Sequence, residues 1–225
     1  MKKAREKSIR KGETMNTAVV NSLGEYFETL YLLNQNLIIF CGAGGVVADH
    51  WTHQNYIRNV IMAIPQLIPY SKKGDKYVID SKDGLLEYSN EICFLERDYQ
   101  SILQNHYEFL IKIKKVRNKL EHKMHSVVLS GTEGGSNILF KLHYFVEKQD
   151  GFDEAVLCAS QFIKLVKDLN LLFSKIQRLV NEYASQEQKG HYVYCQRLLR
   201  YDFSDFNQIY DSGLLRTIGK AFLPF

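Results

Sequence analysis

Apolar residues recur along most of this chain at three- and four-residue steps, the period of a helix that buries one face. Between Thr14 and Asn34, the cap-type residues Thr14, Asn16 and Thr17 precede Val19, Val20, Leu23, Phe27, Leu30 and Tyr31 in amphipathic spacing. Asn34-Gln35-Asn36 marks a break, after which a second helix is expected from Leu37 to about Met62, ending before Pro65 and Pro69. Tyr77–Ile79 and Leu85–Tyr88 flank Lys82-Asp83-Gly84, and Asp-Gly between two β-prone runs predicts a small hairpin. A long helix follows from about Asn90 to Met124. Val127–Leu129 and Ile138–Phe145 surround the Gly-rich Gly131–Gly135, the pattern of a second hairpin. Asp153–Tyr183 reads as another long helix, and its apolar positions cover so much of its circumference that it belongs at the centre, packed on two sides. Gly190–Phe225 is rich in aromatics and has no clear period.

The pattern therefore gives a mainly α protein, a helical bundle with one or two small β-hairpins. Residues 1–13 are expected to form a basic, disordered tail, residues 14–185 the helical domain, and residues 186–225 an extension packed on the bundle or on a dimer interface. Only three prolines occur in 225 residues, which favours helices over a many-stranded sandwich. The composition, 45% hydrophobic and 24% charged, is that of a chain able to bury a core.

Charge changes the picture locally. The net charge of +4 is concentrated in Met1–Lys11, where six bases face Glu6 alone and leave 23 bases against 24 acids elsewhere. Global basicity thus gives no argument for a nucleic-acid partner, and a short tail of this kind is ordinarily solvated. Cys41, Cys93, Cys158 and Cys195 are far apart and form no C-x-x-C pair, so neither a zinc knuckle nor a redox motif is read. No apolar leader follows the basic tail, and the longest apolar run, Leu37–Ala48, has 12 residues, too few to span a bilayer. A cytoplasmic protein without a membrane partner is expected.

Three segments are candidates for chemistry. Cys41-Gly-Ala-Gly-Gly45 superficially resembles a strand entering a phosphate-binding loop, but its third fingerprint glycine and a strand–helix series are missing, so close helix approach explains it better. His50 and His53, with Asp49, have near-helical spacing but no further ligand set, and no metal site is assigned. The third segment, Lys112–His125, carries six Lys or Arg against Glu121, a local positive field suited to a phosphodiester. On a helical wheel Phe109, Ile113, Val116 and Leu120 form a core-facing stripe. Asn118 and His122 stack nearly opposite it, His125 lies three residues further on, and Arg117 sits on the shoulder of the stripe beside Ile113 and Leu120, where it can bury its stem and aim its fork sideways.

Arg117-Asn118-Lys119-Leu120-Glu121-His122 matches the R-N-x-x-x-H form of the motif in HEPN domains, the higher-eukaryote and prokaryote nucleotide-binding superfamily, and the motif's place near the end of a long helix in a helical body is similar to that family. The architectural resemblance covers roughly Asn16–Ala184, and only these six residues are specific. It implies a metal-independent endoribonuclease needing no cofactor, of the kind that serves as a toxin or anti-phage effector, acting as a dimer with two motifs facing one cleft. It implies His122 as the acid/base, Arg117 as the group that stabilises phosphorane charge, and Asn118 as the residue that orients His122 or the phosphate. Lys114, Lys115, Lys119 and Lys123 would bind RNA, an antitoxin protein is a partner suggested by the family alone, and Glu25, Asp49 and Glu96 are unranked candidates for the additional acid that some members use. Two alternatives stand beside this reading. Some HEPN domains have lost catalysis and serve as RNA- or nucleotide-binding or dimerisation modules, and a structural helical protein would carry the motif by coincidence.

Overall fold

The computed structural model describes residues 15–42, 51–79, 84–122, 127–134, 137–145, 152–185 and 202–212. Among them are six α-helices and two small antiparallel sheets: α1 Thr17–Gly42, α2 Trp51–Leu67, β1 Tyr70–Lys73, β2 Lys76–Ile79, α3 Leu95–Asn105, α4 Tyr107–His122, β3 Val127–Gly134, β4 Asn137–Phe145, β5 Phe152–Cys158, α5 Ala159–Tyr183 and α6 Ser204–Asp211. The chain is mainly helical, as the periodicity predicts, and no helix among the described residues is long and apolar enough to cross a membrane.

Helix α1 runs straight through the break expected at Asn34–Asn36. Asparagine interrupts helices when its side chain competes for backbone partners. Here the competition is absorbed inside the helix. The Asn34 and Asn36 amides donate to the Leu30 and Leu32 carbonyls one turn back, at 2.9 and 2.6 Å. Asn34 is fully buried and also exchanges hydrogen bonds with Asn170 of α5, at 2.8 and 2.9 Å. Leu37–Gly42 therefore end α1 instead of opening a second helix, and the segment before Cys41 is helical rather than the strand a phosphate loop would need. Residues 43–50, which include the rest of that glycine motif, Asp49 and His50, lie outside the described residues. Helix α2 passes Pro65, which removes one hydrogen bond from its last turn. Burial of Ile64, Leu67 and Ile68, all at 0% exposure, holds that turn in place.

The first hairpin forms earlier than the Asp-Gly signal predicts. Tyr77–Ile79 lie in its second strand, and the first is Tyr70–Lys73, paired from Tyr70↔Ile79 to Lys73↔Lys76. Gly74-Asp75 is the two-residue loop. Gly74 has φ +62°, and no non-glycine among the described residues has positive φ, the combination a type II′ turn uses. Leu85–Tyr88 instead belong to a 3-10 turn, Gly84–Tyr88, that tucks Leu85 and Leu86 into the core. Gly84 begins it at φ +60°, where a Cβ would also meet the Tyr26 hydroxyl at 3.0 Å.

The expected long helix 90–124 is two helices with a joint at His106. Its backbone, at φ −123° and ψ 16°, leaves the helical region, although its N–H still donates to the Ile102 carbonyl and its carbonyl accepts from Leu110. The buried imidazole meets Asp168 of α5 at 2.7 Å, which fixes the bend against the central helix. The second hairpin is present as β3–β4, in register from Val127↔Tyr144 to Gly134↔Asn137. A third strand joins it, because Phe152–Cys158 pairs with the open edge of β4 and does not begin the next helix. Helix α5 starts only after Cys158, whose backbone is still extended.

The core lies where α1 meets α2 and α5, with α4 against α2 and α3 against both α4 and α5. Phe27 of α1 packs on the rings of Phe173 (α5) and Phe203, with centroids 6.0 and 5.7 Å apart. Phe109 of α4 meets Phe162 of α5 edge-on at 4.8 Å. Helix α6 docks on α5 and α1 through a polar clasp: Asn170 donates to Asn207 at 2.9 Å, and the Tyr210 hydroxyl donates to Asn34 Oδ1 at 3.0 Å. Part of the C-terminal extension is thus attached to the bundle.

Candidate functional site

Helix α4 owes its orientation to the predicted stripe. Phe109, Ile113, Val116 and Leu120 are all 4% exposed or less. Burial of four such side chains contributes roughly 6–12 kcal/mol of transfer free energy, so the rotation of the helix is firmly set. Lys112, Lys115 and Asn118 are then exposed, and Lys114, Arg117 and Lys119 are half-buried on its flanks. His122 is the last residue of α4; its side chain lies outside the described residues, as do Lys123, His125 and the side chain of His53.

Arg117 lies on the shoulder of the stripe, as the wheel predicts. Its Nη2 pairs with Glu121 Oε1 at 2.6 Å, one turn on, with the two side chains 34% and 32% exposed. Its Nη1 makes a long contact of 3.4 Å with Asn118 Oδ1. Its Nε–H is buried and makes no hydrogen bond among the described residues. Arg117 and His122 are five residues apart, about 140° round the helix at 100° per residue, so a group touching both must sit across the end of α4. Of the acids named as helpers, Glu25 on α1 and Glu96 on α3 are exposed, and Asp49 is outside the described residues. The acid that actually meets Arg117 is Glu121, at the i,i+4 spacing already visible in the sequence.

Sequence reasoning did not bring the β1–β2 hairpin to this site. Tyr70 donates its hydroxyl to the Leu110 carbonyl at 2.9 Å, and the Tyr77 N–H donates to the Tyr107 hydroxyl at 3.0 Å. Lys114 answers from α4: its Nζ donates to the Tyr70 carbonyl at 3.0 Å and lies 4.9 and 5.3 Å from the centroids of the Tyr70 and Tyr77 rings. Burial, and then the Arg117 charge, hold the Lys114 ammonium below the usual lysine range. Burial, reinforced by Tyr77 and opposed by Arg117, pushes the Tyr70 phenol up, so it stays a neutral donor. Lys114 is thus an organised cation at the junction of helix and hairpin.

The His106–Asp168 pair was also not foreseen, because 62 residues separate two side chains that only the packing of α3, α4 and α5 brings together. A cavity of about 270 Å³ opens beside it, lined in part by Tyr107, Glu108, Gln161 and Lys164. Comparison of the chain with protein-family models, curated proteins and solved structures finds no match to any of them.

Proposed function

We propose that this chain is a metal-independent endoribonuclease of the HEPN type, acting as a homodimer, with Arg117, Asn118 and His122 as its reacting constellation. The supporting observation is the placement of Arg117: a half-buried guanidinium, clamped at Nη2, on the last turn before His122. A fixed cation suits the charge that develops on phosphate oxygens, and histidine as a residue type exchanges protons near neutral pH. In the proposed step the ribose 2′-oxygen attacks the adjacent phosphorus and the bond to the next nucleotide's 5′-oxygen breaks. His122 takes the 2′-hydroxyl proton or delivers one to the leaving oxygen. Arg117 neutralises the phosphorane, and Asn118 orients His122 or the phosphate. The exposed Asn118 face of α4 turns away from the chain's own core, so a second copy supplies the facing wall of the cleft.

His122→Ala and Arg117→Ala should each lower cleavage by two or more orders of magnitude, with the melting temperature close to that of wild type, on the usual scale for lost acid–base or charge-stabilising groups. Arg117→Lys should fail as well, since a point charge does not reproduce the fork. The check is a single-turnover assay on labelled RNA. Cleavage retained in His122→Ala would remove the catalytic reading.

A second reading, a non-catalytic RNA- or nucleotide-binding module, draws on the 2.6 Å Arg117–Glu121 ion pair, which already occupies one edge of the guanidinium. It predicts that the wild-type chain binds RNA without cutting it.

A further inference from the structure

We propose that the β1–β2 hairpin and α4 together form a binding surface for single-stranded RNA, with Lys72 and Tyr77 of the hairpin extending the track that begins at Arg117. The proposal rests on the nucleic-acid reading of α4 and is independent of cleavage.

The register fixes which hairpin residues face α4. Residues two apart on a strand share a face, as do residues directly paired across an antiparallel ladder. Tyr70 and Lys72 are two apart, and Lys72 is paired with Tyr77, so all three share one face. The Tyr70 and Tyr77 rings pack edge-on with centroids 5.9 Å apart. This is the face that meets α4, because both rings lie beside Lys114 Nζ. The exposed Lys72 therefore continues the line from Arg117 through Lys114, with the half-buried Tyr77 among them. Lys73 and Lys76, paired with each other next to the turn, belong to the opposite face.

Charge is segregated onto this assembly. The hairpin has three lysines against Asp75, and α4 has five bases against Glu108 and Glu121. With the 1–11 tail also set aside, the rest of the chain has 15 bases against 21 acids. A cationic strip in an acidic body draws a polyanion to one place. Tyr70 is buried beneath, so the half-buried Tyr77 ring is the one aromatic surface this face of the hairpin offers among the cations, and it favours a chain with bases to stack over a carboxylate-rich protein or a lipid surface. The same strip runs into the Arg117 site, so a strand lying on the hairpin enters that site from its own chain.

The test is fluorescence anisotropy with a short single-stranded 2′-O-methyl RNA, which binds but offers no 2′-hydroxyl for cleavage. Lys72→Glu should weaken binding roughly tenfold and lower the salt slope by about one or more, as for lost phosphate contacts. Lys76→Glu makes the same charge change on the opposite face and should weaken binding about twofold or less. Both positions are exposed, so circular dichroism should be unchanged. Equal loss in the two variants, or none in Lys72→Glu, overturns the proposal. Tighter binding to phosphatidylcholine–phosphatidylserine vesicles than to RNA, with the same Lys72 sensitivity, overturns the choice of RNA. Lys72-dependent binding by a chain that never cuts RNA upholds the surface and removes the nuclease reading. Cleavage indifferent to Lys72→Glu, with unchanged binding, does the reverse.

Discussion

Arg117 shows how one side chain divides between structure and chemistry. It sits on the shoulder of the apolar stripe of α4, its Nη2 is held by Glu121, and its Nε–H is a buried donor with no partner among the described residues. A phosphate approaching this guanidinium meets the Glu121 carboxylate as a competitor. Glu121→Gln should therefore strengthen RNA binding by several-fold, a gain on the scale of about 1 kcal/mol for a partly exposed ion pair. Titration of labelled RNA reads this directly, and unchanged or weaker binding would place Glu121 as a positioning group for Arg117. Thiol chemistry is graded by burial in a comparable way. Burial pushes the Cys41 thiol up to about 12, whereas Cys93 is exposed. Since the thiolate is the nucleophile, Cys93 should react with a maleimide under native conditions and Cys41 only after unfolding. Peptide mapping of the labelled protein distinguishes the two sites.

Secondary-structure elements were legible in the sequence where one-sided burial dominates. The α4 stripe and the long body of α5 follow directly from their apolar spacing, and every stripe residue of α4 is buried. The errors arose where a partner distant in the sequence decides the outcome. Asn34 keeps α1 continuous because Asn170, 136 residues away, satisfies it. Phe152–Cys158 becomes a strand because β4 has an open edge to pair with. Tyr77–Ile79 turn back to Tyr70–Lys73 because Gly74-Asp75, not Asp83-Gly84, makes the turn. The His106 joint is of the same kind, for no local signal shows that its imidazole will find Asp168. His106→Ala should cost about 1–3 kcal/mol, the range for removing one partner of a buried hydrogen bond, with the partly exposed Asp168 recovering some hydration. Urea unfolding measures it, and no change in midpoint would mean that the α3–α4 joint is held by apolar packing alone.

Among the described residues, helices α1, α2, α4 and α5 pack into the main frame, and a basic edge of that frame is α4 with the β1–β2 hairpin beside it. The motif residues Arg117, Asn118 and His122 were readable as a spacing near the end of a long helix, and α4 reaches His122. The hairpin's contribution was not readable, because strand register and the Lys114 contacts arise only after folding. Attack of an RNA 2′-hydroxyl on its own phosphorus leaves characteristic ends, and a parallel His122→Ala sample separates cleavage by this chain from background hydrolysis that leaves the same ends. The decisive measurement is the end chemistry of single-stranded RNA incubated with the purified chain in excess EDTA, with His122→Ala in parallel. Action of Arg117 and His122 predicts 2′,3′-cyclic phosphate and 5′-hydroxyl ends from the wild type and intact RNA with the variant. Ends carrying 3′-hydroxyl and 5′-phosphate, an absolute need for added Mg²⁺, or equal cutting by His122→Ala would contradict it.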